Sequence, residues 1–239
     1  MQKSSVPFFG NKKDNLHCFQ ACLRMALKHF LPKKNFTWEE IDTLTGFKKG
    51  KWTWATQALL NLHKMGFEII DWDNFDAELF VRKGDPFFLE TFGKEVGEAQ
   101  VKYSDTAKER RLFRKYITLN IHEKKIPSLL DLRRFLDKGY LLLCNVNAYA
   151  LDRKKGYSGH LVLVYHYTNT HILLHDPGLP ARPDRRVSHS TFLKAWGYPT
   201  KDARNLIALK LSQSPIKKYL VHIVSLTEEK DQYRCRSMG

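Results

Sequence analysis

The order of helical and strand-like segments along the chain predicts an α+β fold. Apolar residues at helical spacing dominate the first third, whereas the second half contains apolar runs separated by short turns. No internal repeat or low-complexity stretch interrupts this order. Helices followed by strands are typical of N-terminal helices packed on a mainly antiparallel sheet.

Three helices are predicted in the first part of the chain, with the bounds 18–30, 38–44 and 54–65. Pro32 stops the first helix, because proline cannot continue the ladder of backbone hydrogen bonds. Thr37 and Glu40 form a capping box that opens the second helix. Thr53 is expected to cap the third. A short apolar run at 6–9 precedes them as an edge strand or an arm.

The strongest predicted strand is Tyr140–Ala148, an almost continuous apolar run expected at the centre of the sheet and buried on both faces. Ser158–Tyr167 and His171–Asp176 form a hairpin around the turn 168–170. An Arg-rich loop is expected after Pro177. The remaining predicted segments are strands at 67–70, 87–89, 205–211 and 217–226 and helices at 106–116, 129–137 and 190–196.

The length and composition predict one domain over residues 1–226, followed by a polar tail at 227–239. Residues 71–122 are a candidate insertion or lid. No apolar run reaches the length of a membrane span, and the first residues lack the apolar stretch of a secretory signal. These features predict a cytoplasmic protein, although a protein exported by a specialised secretion system would begin in the same way.

The charge balance is strongly basic, with 40 Lys and Arg residues against 25 Asp and Glu and a net charge of +15. Such a balance favours an acidic partner. The basic residues, however, are scattered in short pairs and triplets, and no helix-turn-helix, zinc-finger spacing or RNA-binding signature is present. A solvated basic surface is therefore favoured over a specific nucleic-acid site.

The four cysteines are Cys18, Cys22, Cys144 and Cys235. Their spacing fits neither a C-x-x-C redox pair nor a zinc site, and it predicts neither a disulfide framework nor a metal. Cys18 lies where a loop becomes a helix. A thiol at a helix N-terminus lies near unpaired backbone N–H groups, which lower its pKa and favour the nucleophilic thiolate.

The hairpin brings a histidine and an aspartate to one face of the sheet. A three-residue turn pairs Tyr167 with His171 and, further along, Val162 with Asp176. Because side chains alternate along a strand, His160 then projects on the same face as Asp176. The aspartate could hold one imidazole nitrogen while the other accepts a proton from a thiol. A two-residue turn would reverse this parity.

Three motifs in chain order carry a resemblance to a known family. The segments are His17–Met25, Gly159–Val164 and Leu174–Gly178. They resemble the nucleophile motif, the histidine strand and the Asp-Pro motif of the double-glycine leader peptidases, a bacteriocin-processing family of papain-like cysteine proteases. The resemblance spans about residues 6–211.

The resemblance implies a papain-like fold and a thiol hydrolase that cleaves a peptide or amide bond of a peptide or protein substrate without a cofactor. Residue by residue, Cys18 matches the nucleophile, His160 the general base and Asp176 the orienting residue. Cys22 matches a second cysteine that packs inside the helix. The same three residues would also suit acyl transfer to another acceptor.

Two positions depart from the family pattern. The family places a glutamine about six residues before the nucleophile, where its amide donates to the oxyanion; here that residue is Lys12. The neighbouring Asn11 is the candidate replacement. The glycine that follows the nucleophile in the family is Phe19, which is expected to crowd the substrate channel.

Two alternatives to an active hydrolase remain open. These departures suit a catalytically degenerate papain-like module that binds a peptide or an acidic partner. The net charge of +15 suits a nucleic-acid-binding protein, although a basic surface alone indicates no specific site.

Overall fold

The computed structural model describes residues 6–212, which form nine helices and seven strands. The helices are α1 (Cys18–Phe30), α2 (Trp38–Thr45), α3 (Thr56–Lys64), α4 (Ala77–Lys83), α5 (Pro86–Tyr103, kinked at Gly93), α6 (Thr106–Tyr116), α7 (Leu129–Asp137), α8 (Ala148–Leu151) and α9 (His189–Trp196). The strands are β1 (Phe67–Asp73), β2 (His122–Lys124), β3 (Leu141–Asn147), β4 (Gly159–Tyr167), β5 (His171–Asp176), β6 (Arg182–Ser188) and β7 (Leu206–Leu211).

The seven strands form one sheet in the order β2-β1-β7-β3-β4-β5-β6. Every neighbouring pair is antiparallel except β1 and β2. The predicted α+β fold with a mainly antiparallel sheet is confirmed. Strand β3 is the middle strand, and six of its seven residues are buried, as its continuous apolar sequence indicates.

Helices cover both faces of this sheet. The alternation of side chains along β3 and β4 sends Leu143 and Leu163 into a core shared with α1 to α6, and Leu142 and Val162 into a second core shared with α7 to α9. Burial of this apolar surface on two sides holds the middle of the sheet rigid. The first residues of β4 are therefore held in a fixed position by the rest of the sheet.

Most helices begin and end where the sequence indicates. Helix α2 has the predicted capping box, in which Glu40 N–H donates to Thr37 Oγ1 and Thr37 N–H donates to the Glu40 carboxylate. The prediction that Thr53 caps α3 is wrong, because α3 begins after Ala55. The Thr53 hydroxyl instead accepts a hydrogen bond from the Gln20 amide of α1 at 3.2 Å.

Two other predicted elements differ from the structure. Residues 87–89 are not a strand but the start of α5, where Pro86 occupies the first turn and both phenylalanines are buried. The Arg-rich segment expected to be a loop is the edge strand β6. Of the two alternatives predicted for residues 6–9, an edge strand or an arm, the structure has the arm, since residues 7–10 have no strand pairing. The predicted strand at 217–226 and the tail at 227–239 lie outside the described residues.

The segment 71–122 is built into the first core. Its helices α4, α5 and α6 surround Trp54 with aromatic rings whose centroids lie 5.8–6.0 Å from the indole. Strand β2 then returns beside β1. The role of this segment as an insertion or lid stays a prediction. Within residues 6–212, no helix combines the length and apolarity that crossing a bilayer requires.

Candidate functional site

The site lies where the start of α1 meets the start of β4. Cys18 is the first residue of α1 and is partly exposed, and His160 is the second residue of β4. One turn into the helix, the buried Cys22 thiol donates to the Leu161 carbonyl at 3.5 Å. This contact fixes the helix on the strand and leaves Cys18 as the thiol beside His160.

The inner part of the hairpin has the predicted strand register, but the turn and the strand that produce it differ from the prediction. The turn has two residues between Thr168 and His171, so that Tyr167 pairs with Ile172 and not with His171. The turn prediction was therefore wrong. A β-bulge at Tyr165 then shifts the register by one residue, and Leu163 pairs with His175 as the three-residue turn would have required. The bulge cancels the change of parity.

His160 and Asp176 are in direct contact. The two residues are 9% and 5% exposed, and Nε2 of His160 lies 2.7 Å from Oδ1 of Asp176. The same oxygen accepts the Gly178 backbone N–H at 3.0 Å. A Cβ at Gly178 would lie 3.3 Å from His160 Nε2 and 3.0 Å from that oxygen, so glycine lets the chain close over the pair. With Nε2 engaged, Nδ1 of His160 is the nitrogen left for Cys18.

The electrostatics of the site favour a thiolate beside an imidazolium. Burial would raise the pKa of the Cys18 thiol, but the hydrogen bond and the positive charge of His160 outweigh burial and lower that pKa. Burial would lower the pKa of His160, yet its hydrogen bonds to Asp176 and Cys18 raise it to about 9. The two shifts support each other. By contrast, burial raises the pKa of Cys22 and Cys144, which makes these thiols inert.

An arginine that the sequence analysis missed holds the outer oxygen of Asp176. Arg185 of β6 donates from one guanidinium nitrogen to Asp176 Oδ2 at 2.6 Å, and from the other to Asp152 and the Leu151 carbonyl, each at 2.7 Å. Burial would raise the pKa of Asp176, but His160, Arg185 and the Gly178 N–H lower it to about 2. Arg185 is a positioning residue, since it acts on the histidine through Asp176.

Replacement of Arg185 by glutamine is expected to move the acid limit of Cys18 reactivity to higher pH. Without the guanidinium, the pKa of Asp176 rises, so that its carboxylate is neutralised at a less acidic pH and stops stabilising the His160 imidazolium. Loss of one partner of this largely buried pair should also cost about 3 kcal/mol of unfolding free energy. The pH dependence of Cys18 alkylation measures the first effect.

The matched control is Arg186→Gln, because the neighbouring Arg186 is exposed and contacts His171 instead of Asp176. Equal pH profiles of Cys18 alkylation in the two variants would contradict the positioning role of Arg185.

Comparison with known proteins bears on this arrangement. The profile of the Peptidase_C39 like family matches residues 6–194 of the 239. The chain belongs to this family. The match confirms, at the level of the family, the resemblance to the double-glycine leader peptidases. No curated protein sequence matches the C39-like chain.

Two solved structures are similar to the C39-like chain. The peptidase domain of Streptococcus ComA, described as a bi-functional ABC transporter involved in a quorum sensing pathway, is 15% identical with a TM-score of 0.46, over 87% of this chain and 99% of that one. A putative C39-like peptidase from Bacillus anthracis is 14% identical with a TM-score of 0.46, over 86% and 94%.

In the C39-like chain, the loop before Cys18 is held by Asn11. Its backbone N–H donates to the Pro177 carbonyl at 2.8 Å, its side-chain oxygen accepts the His17 N–H at 2.8 Å, and its amide donates to Asn15 at 3.1 Å. Asn11 therefore joins the residue before Cys18 to the residue after Asp176. These contacts leave one N–H of the Asn11 side-chain amide for another acceptor. The predicted role of Asn11 as an oxyanion donor stays a prediction.

Both positions that depart from the family pattern have contacts of their own in the structure. Lys12 forms an ion pair with Asp42 at 2.9 Å, and the other carboxylate oxygen of Asp42 lies 3.3 Å from Nε2 of the buried His17. Phe19 is 8% exposed and packs in the core shared with α1 to α6. The ring is packed inward with little of it left exposed, and its crowding of a substrate channel stays a prediction. Within residues 6–212, no group of three or more His, Cys, Asp or Glu residues is arranged to hold a metal ion.

Proposed function

We propose that the protein is a cysteine peptidase that cleaves a peptide or amide bond through Cys18, His160 and Asp176. The observation that carries this proposal is the chain of contacts from the Cys18 thiol through His160 to Asp176, with Nε2 and Oδ1 2.7 Å apart. Membership of a C39-like family supports the same reaction class. A base oriented by a carboxylate beside a thiol is the arrangement that nucleophilic catalysis needs.

The reaction would proceed in two stages. The Cys18 thiolate attacks the carbonyl carbon, a C–S bond forms, and the carbonyl oxygen becomes an oxyanion. As the C–N bond breaks, the His160 imidazolium gives its proton to the departing amine, leaving a thioester on Cys18. Water then attacks the thioester while neutral His160 takes its proton, which releases the acid and restores the thiolate–imidazolium pair. Asp176 keeps the imidazole oriented throughout.

The proposed oxyanion donors are the backbone N–H of Cys18 and the remaining amide N–H of Asn11. The first four N–H groups of a helix have no intrahelical acceptor, and α1 has no side-chain cap. Asn11 is held beside this helix start by His17 and Pro177. Each donor of this kind is typically worth about 10²–10³ in rate.

A second candidate function is a peptide-binding module that does not turn over its ligand. The observation that favours it is Lys12, which stands where the family pattern has the oxyanion glutamine and is engaged by Asp42. Such a module would bind peptides even when Cys18 is replaced by alanine, but it would release no cleavage products.

Covalent labelling tests the first step of the proposal. At pH 6.5, iodoacetamide is expected to alkylate Cys18 in the folded protein far faster than Cys22 or Cys144, because Cys18 alone of these three described thiols combines exposure with a lowered pKa. Peptide mapping by mass spectrometry identifies the modified cysteine. The same protein is then incubated with a peptide library to detect new termini. Labelling without cleavage would favour the binding module, and a Cys18 that stays unlabelled in the folded protein would overturn the peptidase proposal.

A further inference from the structure

An open cavity of about 430 Å³ lies between the loop after α8 and the start of α9. Its polar lining consists of four cations and two hydroxyl groups: Arg153, Lys154, Lys155, Lys194, Ser190 and Thr191. No carboxylate is among the described residues that line it. We call this the basic pocket. Like charges gathered in this way repel one another, and an anion that enters relieves the repulsion.

The cations of the basic pocket are largely unneutralised. Lys154 has one carboxylate near it, Asp152, at 3.9 Å. Within residues 6–212, Arg153, Lys155 and Lys194 form no ion pair. Arg153 also has a positive φ of 57°, a conformation that non-glycine residues rarely adopt.

The basic pocket adjoins the candidate active site. Ala150 of α8 lines it, and α8 directly follows Asn147, which pairs with Gly159 beside His160. Arg185 links the two places, since it binds Asp176 on one side and Asp152 and the Leu151 carbonyl on the other. The basic pocket is thus joined to the candidate site through α8 and Arg185.

We propose that the basic pocket binds an acidic segment of the peptide substrate, with several Asp or Glu side chains, and so selects substrates for the peptidase site. The inference rests on the proposed function for the identity of the ligand as a substrate. A peptide is favoured over a nucleic acid because the pocket is joined to a site whose chemistry acts on peptide bonds. The two hydroxyl groups and three unpaired cations suit several carboxylates at once.

Fluorescence anisotropy with two labelled peptides of equal length, an oligoglutamate and an oligoglutamine, tests the proposal on the full chain carrying Cys18→Ala, which prevents turnover. The oligoglutamate is expected to bind about tenfold more tightly than the oligoglutamine, and salt should weaken its binding. Adding Lys155→Glu and Lys194→Glu should reduce its affinity about tenfold or more, because each exposed ionic contact contributes a few-fold and reversal also adds repulsion.

The matched control is the pair Lys33→Glu and Lys94→Glu, which makes the same change of net charge at exposed positions outside the pocket. Equal loss in both double variants, or equal binding of the two peptides, would overturn the proposal. So would a single-stranded oligonucleotide that binds more tightly than the oligoglutamate and depends on Lys155 and Lys194. Because binding is read without Cys18, a failure here is distinct from a failure of Cys18 labelling in the unmodified protein.

Discussion

Peptide-bond hydrolysis by the Cys18→Ala variant is expected to fall to the uncatalysed background, whereas Cys22→Ser keeps its activity. Alanine at position 18 removes the atom that would form the thioester, and no other described thiol can replace it, because Cys22 and Cys144 are fully buried. The appearance of new termini in a peptide library, followed by mass spectrometry, measures the loss. This is the largest effect that the proposed mechanism entails.

Cys22→Ser is the matched control, since it removes a thiol one helical turn away. Its hydroxyl can still donate to the Leu161 carbonyl, as the thiol does at 3.5 Å. We expect a destabilisation of about 1 kcal/mol in the unfolding free energy and little change in rate. Cleavage that persists in Cys18→Ala, or that disappears in Cys22→Ser while the protein stays folded, would contradict the assignment of the nucleophile.

His160→Ala is expected to lower the rate of hydrolysis by about 10²–10⁴, the usual contribution of a positioned acid and base. The same variant should move the pH dependence of Cys18 alkylation upward. In the unmodified protein the thiolate persists below the ordinary thiol pKa of about 8.5, because the His160 imidazolium stabilises it. Without that charge, burial is left to raise the pKa of Cys18.

The unmodified protein is expected to show an activity that first rises and then falls with increasing pH. Activity should rise as Cys18 ionises, which occurs below its ordinary pKa, and fall as pH increases through about 9, where His160 loses the proton that the leaving amine needs. His160→Gln, which keeps a polar side chain of similar length, separates loss of packing from loss of the proton. An unchanged alkylation profile in both variants would show that His160 does not control the thiol.

The sequence was sufficient to find the three candidate residues because each is marked locally. Cys18 opens an amphipathic helix, and His160 and Asp176 lie at corresponding ends of two hairpin strands. Their meeting nevertheless depended on two deviations that cancel: a turn of two residues where three were expected, and a bulge at Tyr165. The local sequence determines neither the turn length nor the bulge, because a bulge depends on how the strand packs within the whole sheet.

Arg185 could not be identified in the same way. Its strand, Arg182–Ser188, contains a proline and three arginines and lacks apolar alternation over most of its length, because it is an edge strand. Such an edge strand forms because its backbone pairs with the adjacent strand β5, and its own composition does not reveal this pairing. The one available signal was the density of arginine shortly after an Asp-Pro pair, which is equally typical of a solvated loop.

Residues 87–89 are the reverse case, since the sequence predicts a strand where the structure has a helix. Two adjacent phenylalanines and a leucine have high strand propensity, yet Pro86 starts a helix there and the rings fill the aromatic core around Trp54. Tertiary packing decided the local conformation. Similarly, Thr53 has the residue type of a helix cap, but the buried Gln20 amide donates to its hydroxyl instead.

The bulge at Tyr165 separates two parts of the hairpin that would otherwise be rigidly coupled. On its far side the turn at Asn169 and Thr170 is exposed; on its near side the strands carry His160 and Asp176. A single-residue change in loop length can therefore be compensated within the strand rather than transmitted to the reacting groups. We therefore expect an inserted or deleted residue at the outer end of this hairpin to leave the spacing of His160 and Asp176 at the inner end unchanged.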